Sequence, residues 1–162
     1  MSPPTELSRQ PNLTYRSREY LPPREVQRLL EAAGQRGRHP LRDRTLLLLM
    51  FRHGLRVGEA CLLKWDAVML EERCIAITRL KGSNSGVHRL QPDELEALVL
   101  LRELYSGSYA LFVNERGAKL TTGAISKMMK RSGELADLPL PVHPHMLRHS
   151  CGYFMDSLPI KS

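Results

Sequence analysis

The sequence predicts a mainly α-helical domain with a small antiparallel three-stranded sheet, that is, an α+β fold. Apolar residues recur at helical spacing in six segments, whereas three short β-type runs lie together between Trp65 and Leu90. The chain has 162 residues, enough for one domain with a hydrophobic core. We therefore expect the helices to form the body and the sheet to be an early insertion.

The N-terminal part of the chain begins with a segment that lacks apolar periodicity. Residues 1–20 are rich in Pro, Ser, Arg and Asn and predict a flexible basic arm, followed by one domain over residues 21–162. Prolines introduce the first helix, which ends at Gly34. A mostly buried second helix, "LRDRTLLLLMFRH", is closed by Gly54, and a short third helix, "RVGEACLL", follows this turn.

The sheet and the remaining helices follow from the rest of the pattern. Three runs predict the strands: "AVML", "CIAIT" and "VHRL". The last two are joined by "RLKGSNSG", whose Gly, Ser and Asn residues are typical of a hairpin turn. Next come a helix from Pro92, a short strand and turn in "YALFVNERGAKL", a helix capped by Thr121 or Thr122, and a last helix beginning near Pro144.

The charge of the chain favours a polyanionic partner. The net charge is +7 and the pI about 9.7, with 18 arginines against 6 lysines. Arginine's planar fork binds phosphate oxygens in a bidentate way, so nucleic acid is the first candidate and a merely soluble basic surface is the alternative. The three cysteines form no CxxC pair, and neither a secretory signal nor a membrane span is recognisable. We expect a cytoplasmic protein whose reduced thiols fill apolar space.

Two of the three motifs that carry candidate site residues lie in the first half of the chain. Arg56 follows the Gly54 turn, where a helix N-terminus favours anions, and Glu59 at i+3 would orient its guanidinium. The alternative is an exposed ion pair of little energetic weight. Lys81 lies in the hairpin turn, where it would reach a phosphate or a leaving oxygen unless it is simply solvated.

The third motif is "HPHMLRHSC", at the start of the last helix. His145 and Arg148 are three residues apart, share one helical face and both donate hydrogen bonds to oxyanions. The alternative is a zinc site of His143, His145 and His149, but their spacing converges poorly on one face and no acidic or thiolate ligand is suitably placed. We predict no metal and no other cofactor, and a packing role for His149 and Cys151.

Taken in order, "HGLRVGEACLLKWDAV", a hairpin lysine and "HPHMLRHSCGY" resemble the catalytic domain of the tyrosine site-specific recombinases, the phage integrase family. The similarity extends from about Leu21 to about Ser157 and is greatest to the short fimbrial phase-switch recombinases. It implies a recombinase catalytic-domain fold that serves site-specific DNA recombination, by integration or by inversion.

The resemblance implies a role for each motif residue. Arg56 and Arg148 would clamp the scissile phosphate and offset the charge of the pentavalent transition state. His145 would donate a hydrogen bond or assist proton transfer, and Lys81 would be the general acid for the leaving 5′ hydroxyl. The family uses a tyrosine nucleophile and needs neither a metal nor a high-energy cofactor.

The sequence departs from the family pattern after Arg148. The family's tyrosine follows this arginine by a few dozen residues, but here only fourteen residues follow it. Tyr153 is the one tyrosine among them, and it occupies a position that the family usually gives to a packing residue, so we assign no nucleophile. We expect a domain shortened at its C-terminal end, by truncation, frameshift or design, that does not cleave DNA alone.

Double-stranded DNA is the expected partner, with further recombinase protomers bound to it. Four basic residues on or beside the helix "TTGAISKMMKRSG" are candidate DNA contacts, with a solvated basic face as the alternative: Lys119, Lys127, Lys130 and Arg131. Two other functions stay open. One is a non-enzymatic competitor of an intact recombinase, and the other is a non-functional remnant that exposes apolar surface on the "LLLLMF" helix and near Leu147.

Overall fold

The computed structural model describes residues 20–80, 85–105 and 107–154, with side chains described as far as Cys151. Within these ranges the chain forms six α-helices and one three-stranded antiparallel sheet, which confirms the predicted fold class. The predicted arm lies almost entirely outside the described residues. No helix of the described ranges is both long and apolar enough to span a membrane. The elements are α1 (Pro23–Gln35), α2 (Pro40–His53), α3 (Val57–Cys61), β1 (Val68–Met69), β2 (Cys74–Ile77), β3 (Gly86–Arg89), α4 (Pro92–Leu104), α5 (Thr122–Leu135) and α6 (Pro144–Phe154).

Helix α2 lies at the centre of the core. Every residue from Leu46 to Phe51 is at most 5% exposed, so the helix is apolar on all sides of this stretch. Such a helix must be covered all round, and α1, α4 and α6 pack against it. The expectation that the "LLLLMF" helix and Leu147 expose apolar surface is wrong, because Leu147 is also fully buried.

The two ends of α2 follow the sequence prediction. Pro40 stands in the first turn, where its missing N–H removes no helical hydrogen bond. Gly54 ends the helix in the left-handed conformation, with φ at 61°, and its N–H donates to the carbonyl oxygen of Met50. Glycine adopts this φ without the strain that a Cβ would cause. The chain then reverses, so that Arg56 becomes the N-cap residue of α3.

The sheet is smaller than the three predicted runs. Its strand order is β1-β2-β3, and Ile75 in the central strand pairs with His88 in β3. Ile75 and Ile77 are buried while their neighbours are less so, as the two-residue period of a strand requires. Strand β1 has only two residues because the chain turns directly after it, with Arg73 at φ 59°.

The strand predicted within "YALFVNERGAKL" does not form among the described elements. The segment makes only isolated bridges, one of them to Lys64. The side-chain oxygen of Asn114 accepts the backbone N–H groups of Arg116 and Ala118 at 2.8 and 3.1 Å. Such local bonds favour a turn over strand pairing, which explains why the β-type composition is overridden here.

Helix α6 is fixed to the beginning of the domain. The Ser150 hydroxyl accepts the backbone N–H of Leu21 at 2.7 Å and donates to the carbonyl oxygen of Met146 at 2.8 Å. Cys151 is buried, with Sγ 3.6 Å from the carbonyl oxygen of Arg52. Burial raises the pKa of the Cys151 thiol, so it acts as the apolar filler that the sequence predicts.

Candidate functional site

Arg56 begins the site at the junction of α2 and α3. Its backbone is extended, and its N–H donates to Glu59 Oε1 at 2.9 Å, which satisfies one of the free donors at the start of α3. The Arg56 guanidinium Nη1 lies 3.3 Å from Glu59 Oε2. Glu59 is only 2% exposed, so the alternative of a solvated surface pair is wrong.

Glu59 accepts hydrogen bonds from three residues in two segments of the chain. Besides both contacts from Arg56, its carboxylate accepts Nη1 of Arg79 and the backbone N–H of Leu80, each at 3.0 Å. Burial raises the pKa of Glu59, but the backbone donors and the Arg79 guanidinium outweigh burial and bring this pKa below its usual value. An ionised carboxylate therefore joins the start of α3 to the segment that follows β2.

Arg79 is a site residue that the sequence analysis did not identify. Its side chain is 10% exposed. Nη1 donates to the carbonyl oxygen of Gly54 at 3.0 Å, and Nη2 donates to that of His53 at 2.8 Å. The one sequence signal was position: Arg79 is a basic residue two places before the candidate Lys81.

Arg148 reaches the same place from α6. Its Nη1 donates to the carbonyl oxygen of Gly54 at 2.5 Å, across 94 positions of sequence. Burial, followed by the positive charges of Arg56 and Arg79, lowers the pKa of Arg148. The fold therefore gathers three guanidinium groups around one buried carboxylate and the carbonyl end of α2.

This cluster has the properties of an oxyanion site. Three guanidinium groups exceed the single negative charge of Glu59, so the cluster carries an excess of positive charge. Planar guanidinium groups match the oxygens of phosphate and sulfate in bidentate geometry. The carboxylate and the carbonyl oxygens hold the arginines in place before a ligand arrives, which reduces the reorganisation that binding requires.

The sequence profile of the phage integrase family matches residues 19–156, which is most of the chain. The chain belongs to the phage integrase family. This confirms the resemblance seen in the sequence motifs. The chain is 37% identical to the type 1 fimbriae regulatory protein FimB of Escherichia coli K12 over 150 residues, covering 90% of this chain and 74% of FimB.

Solved structures of site-specific recombinases show the same fold. The XerA recombinase superposes with a TM-score of 0.74 and 28% identity, covering 86% of this chain and 52% of XerA. The XerH recombinase, in a pre-cleavage complex with its difH substrate, gives a TM-score of 0.69 and 29% identity over 85% of this chain. This integrase-family chain spans 52% and 42% of the lengths of these two solved proteins.

The three histidines of the third motif are exposed, on α6 or just before it. His145 is exposed in the first turn, three residues before Arg148. Its ring centroid is 4.2 Å from that of His149 and 6.3 Å from that of His143. His149 is exposed, so the prediction that it packs behind the pocket is wrong: it packs against another surface ring instead. No group of three or more His, Cys, Asp or Glu residues suited to a metal ion occurs in the described part of the chain.

The structure describes neither Lys81 nor the side chain of Tyr153. Lys81 lies outside the described residues. The two residues before it, Arg79 and Leu80, both bind Glu59, and the backbone N–H of Arg79 donates to Ser85 Oγ at 3.0 Å. The residues on either side of the segment that carries Lys81 are thus joined to each other, and those before it also contact Glu59. The backbone of Tyr153 continues α6, and its side chain is outside the described part.

The candidate DNA contacts form a basic face on and beside α5. Lys127, Lys130 and Arg131 are exposed and stand at i, i+3 and i+4, so they share one side of the helix. Lys119 is exposed just before the helix. Nη2 of Arg131 lies 3.9 Å from the buried carboxylate of Asp43, so this arginine also contributes to the fold.

Proposed function

We propose that this chain binds double-stranded DNA and holds one phosphodiester in a pocket of the tyrosine recombinase type, within a domain that spans residues 21–162. The observation that carries the proposal is the meeting of Arg56, Arg79 and Arg148 around the Glu59 carboxylate and the carbonyl end of α2. A phosphate-type anion, whose oxygens carry one or two negative charges, would neutralise the excess positive charge of these arginines. Membership of the phage integrase family supports DNA as the source of that phosphate.

Each side chain would have a distinct role in the pocket. Arg56 and Arg148 would contact the non-bridging oxygens of the phosphate, whose negative charge grows in a pentavalent transition state. Arg79 is more buried and is already bound to two carbonyl oxygens, so it would raise the local positive potential. His145 would donate a hydrogen bond or move a proton, and Lys81 would protonate the leaving 5′ hydroxyl.

The proposal includes binding without cleavage by the 162-residue chain itself. Tyr153 is the one tyrosine that follows Arg148 in this sequence. Five residues along a helix is about 1.4 turns, so the Cα of Tyr153 is rotated by roughly 140° from that of Arg148 about the α6 axis. This position does not suit attack on a phosphate held by Arg148, so we assign no nucleophile in this chain.

The test uses a suicide duplex built from a DNA site that this chain selects from a random library. We expect salt-sensitive binding, no covalent protein–DNA adduct, and weaker binding by Arg56→Gln and Arg148→Gln. The matched control is Arg38→Gln, which removes an arginine whose partner Glu115 is exposed. A covalent adduct that disappears in Tyr153→Phe contradicts the assignment of no nucleophile, and unchanged binding by both pocket variants contradicts the pocket.

A second candidate function is supported by the exposed basic face of α5. A chain that binds recombination sites without cleaving them would compete with an intact recombinase in the bacterial cytoplasm, at the nucleoid. Its DNA contacts would include Lys119, Lys127, Lys130 and Arg131, and other recombinase protomers would be its neighbours on the DNA. Adding the chain to a recombination reaction would then lower the product yield, and an unchanged yield at saturating chain contradicts this role.

A further inference from the structure

A row of three side chains lies directly behind the guanidinium cluster. His53, the last residue of α2, is 6% exposed, and its Nε2 lies 2.6 Å from Oε2 of Glu94, which is 1% exposed. On the other side of the ring, His53 Nδ1 lies 3.0 Å from Nδ1 of His88 in β3. This row joins α4, α2 and β3 at one point. The predicted recombination roles do not account for it.

Hydrogen-bond chemistry fixes where the protons of the row lie. A carboxylate only accepts, so His53 Nε2 carries a proton and donates to Glu94. Between the two Nδ1 atoms one nitrogen must donate and the other accept, so one proton lies between His53 and His88. A proton on both nitrogens would set two N–H groups against each other and break the contact.

Charged groups lie around the row on the elements that it joins and, with Arg79, on the segment that follows β2. Arg52 Nη1 lies 3.4 Å from Glu94 Oε1, and its Nη2 lies 2.9 Å from Asp93 Oδ2. The backbone N–H of Gln91 donates to Glu94 Oε1 at 2.8 Å. Both oxygens of Glu94 are therefore occupied, and it offers a fixed partner to His53.

His88 links the row to the site electrostatically, because the charge of Arg79 acts on its pKa. Burial, then the neighbouring His53 and Arg79, lower the pKa of His88, while Glu94 acts in the opposite direction. His88 is therefore neutral near pH 7 and suited to the single-proton contact with His53.

The row is connected to the site through the backbone at the end of α2. The carbonyl oxygen of His53 accepts Nη2 of Arg79, and the next carbonyl oxygen, that of Gly54, accepts both Arg79 and Arg148. We propose that His53 is a positioning residue for the anion site: held by Glu94 on one side and His88 on the other, it fixes the two carbonyl groups on which Arg79 and Arg148 rest. This inference rests on the proposed phosphate-binding function.

The experiment measures sulfate binding to the whole chain through the NMR signals of the arginine Nε–H groups. Sulfate is the probe because it keeps its double charge in neutral and mildly acidic solution, whereas phosphate does not. Ionic strength is held constant, and Arg148→Gln identifies the signal of the site. The variants are His53→Leu, His53→Gln, which keeps a donor for Glu94, and His88→Phe, which keeps ring volume at a half-buried position.

The matched control is His39→Phe. Like His88, His39 is a half-buried histidine: its Nδ1 lies 2.9 Å from the Tyr105 hydroxyl, and its Nε2 lies 3.7 Å from Glu115 Oε1. It precedes the opposite end of α2, about 20 Å from His53 by the rise of the helix. We expect this variant to bind sulfate as the wild-type chain does.

We expect His53→Leu to weaken sulfate binding about ten-fold, the order of effect that a misplaced binding group produces, and His53→Gln to restore part of the loss. His88→Phe, which removes the partner of His53 Nδ1, should also weaken sulfate binding. A structural role alone would lower the stability of the variants and leave sulfate affinity and the arginine signals of the folded protein unchanged.

The outcomes separate this inference from the function on which it rests. If sulfate leaves the Arg148 signal of the wild-type chain unmoved, the proposed pocket fails, and the positioning role fails with it. If the wild-type chain binds sulfate and every row variant binds it equally well, the positioning role alone is overturned. Should His53→Leu not fold, His88→Phe decides: a sulfate affinity equal to that of the wild-type chain overturns the proposal.

Discussion

At the scale of single residues, Glu59 determines whether the positive cluster can exist in the folded chain. Three guanidinium groups placed together without a counter-charge would repel one another in a partly dehydrated space. The buried carboxylate accepts from two of them, Arg56 and Arg79, and from two backbone N–H groups. It thus stabilises the site while leaving an excess of positive charge for a ligand.

Replacing the Glu59 carboxylate measures its contribution to the free energy of unfolding. Glu59→Gln keeps the size of the side chain but removes the charge, and we expect a loss of about 3 kcal/mol in the free energy of unfolding, as for a broken buried ion pair. Urea denaturation followed by circular dichroism measures it. Glu115→Gln is the control, because Glu115 and its partner Arg38 have side chains 59% and 80% exposed, and we expect a change below about 0.5 kcal/mol there. Equal losses in the two variants would contradict the account.

The lowered pKa of Glu59 gives a second test, which is the dependence of stability on pH. The folded chain holds this group ionised below its ordinary pKa of 4.5, so fewer protons are bound in the folded state than in the unfolded state. The stabilisation is therefore complete above pH 4.5 and is lost as the pH falls through the lowered value. The difference in unfolding free energy between wild type and Glu59→Gln should shrink as the pH decreases below 4.5. A difference that stays constant with pH contradicts this assignment.

The residue scale also shows what the sequence could and could not predict. The Arg56–Glu59 pair was predictable because three positions on a helix are neighbours whatever the fold. Arg79 was missed because its role depends on where the end of β2 meets α2, which is a tertiary fact. His149 was misplaced for a similar reason: helical spacing alone does not say which side of α6 faces the core.

At the scale of elements, α2 provides both the core and the base of the site. Its apolar middle is buried between three other helices, and its C-terminal end presents the carbonyl oxygens of His53 and Gly54 to the arginines. The sequence predicted this helix and its closure well, because a long apolar run followed by glycine has one common structural meaning. The run in "YALFV" had no such unique meaning, and the Asn114 turn decided against a strand.

The role of the left-handed backbone at the end of α2 can be tested by adding one methyl group at Gly54. Gly54→Ala adds a Cβ at φ 61°, and this Cβ would lie 3.2 Å from Cys151 Sγ. We expect a loss of about 1–2 kcal/mol from the backbone conformation alone, together with weaker sulfate binding. Gly117→Ala is the control, because its φ is 84° but a Cβ there meets nothing within 4 Å. It should lose stability similarly and bind sulfate normally; weakened binding in both variants would contradict a local effect at Gly54.

At the scale of the whole molecule, positive charge is concentrated in two regions that suit the one proposed ligand class. The net charge is +7, and the exposed lysines of α5 add to the half-buried arginine cluster. Surface lysines make general phosphate contacts that attract DNA from any direction, whereas fixed arginines select one phosphate. The composition predicted this partner class, but the separation into two regions became visible only when α5 and α6 were placed.

The salt dependence of DNA binding distinguishes the two regions. Removing both surface lysines in Lys127→Ala/Lys130→Ala should reduce the slope of log affinity against log salt by about 2, since each phosphate contact contributes about 0.9. Fluorescence anisotropy with a labelled duplex measures the slope. Lys64→Ala is the control, because this exposed lysine lies over the Tyr109 ring and outside the α5 face. An unchanged slope in the double variant would exclude α5 as a DNA contact.

The carbonyl oxygen of Gly54 has one more consequence. It accepts Nη1 of Arg79 and Nη1 of Arg148, so both of its lone pairs are used by groups from distant parts of the chain. Water is thereby excluded from this oxygen, and the two arginines are not independent: loss of either leaves the other with a changed acceptor. Their energetic contributions to stability and to ligand affinity are therefore non-additive, and a single peptide group makes the hairpin and the final helix thermodynamically cooperative.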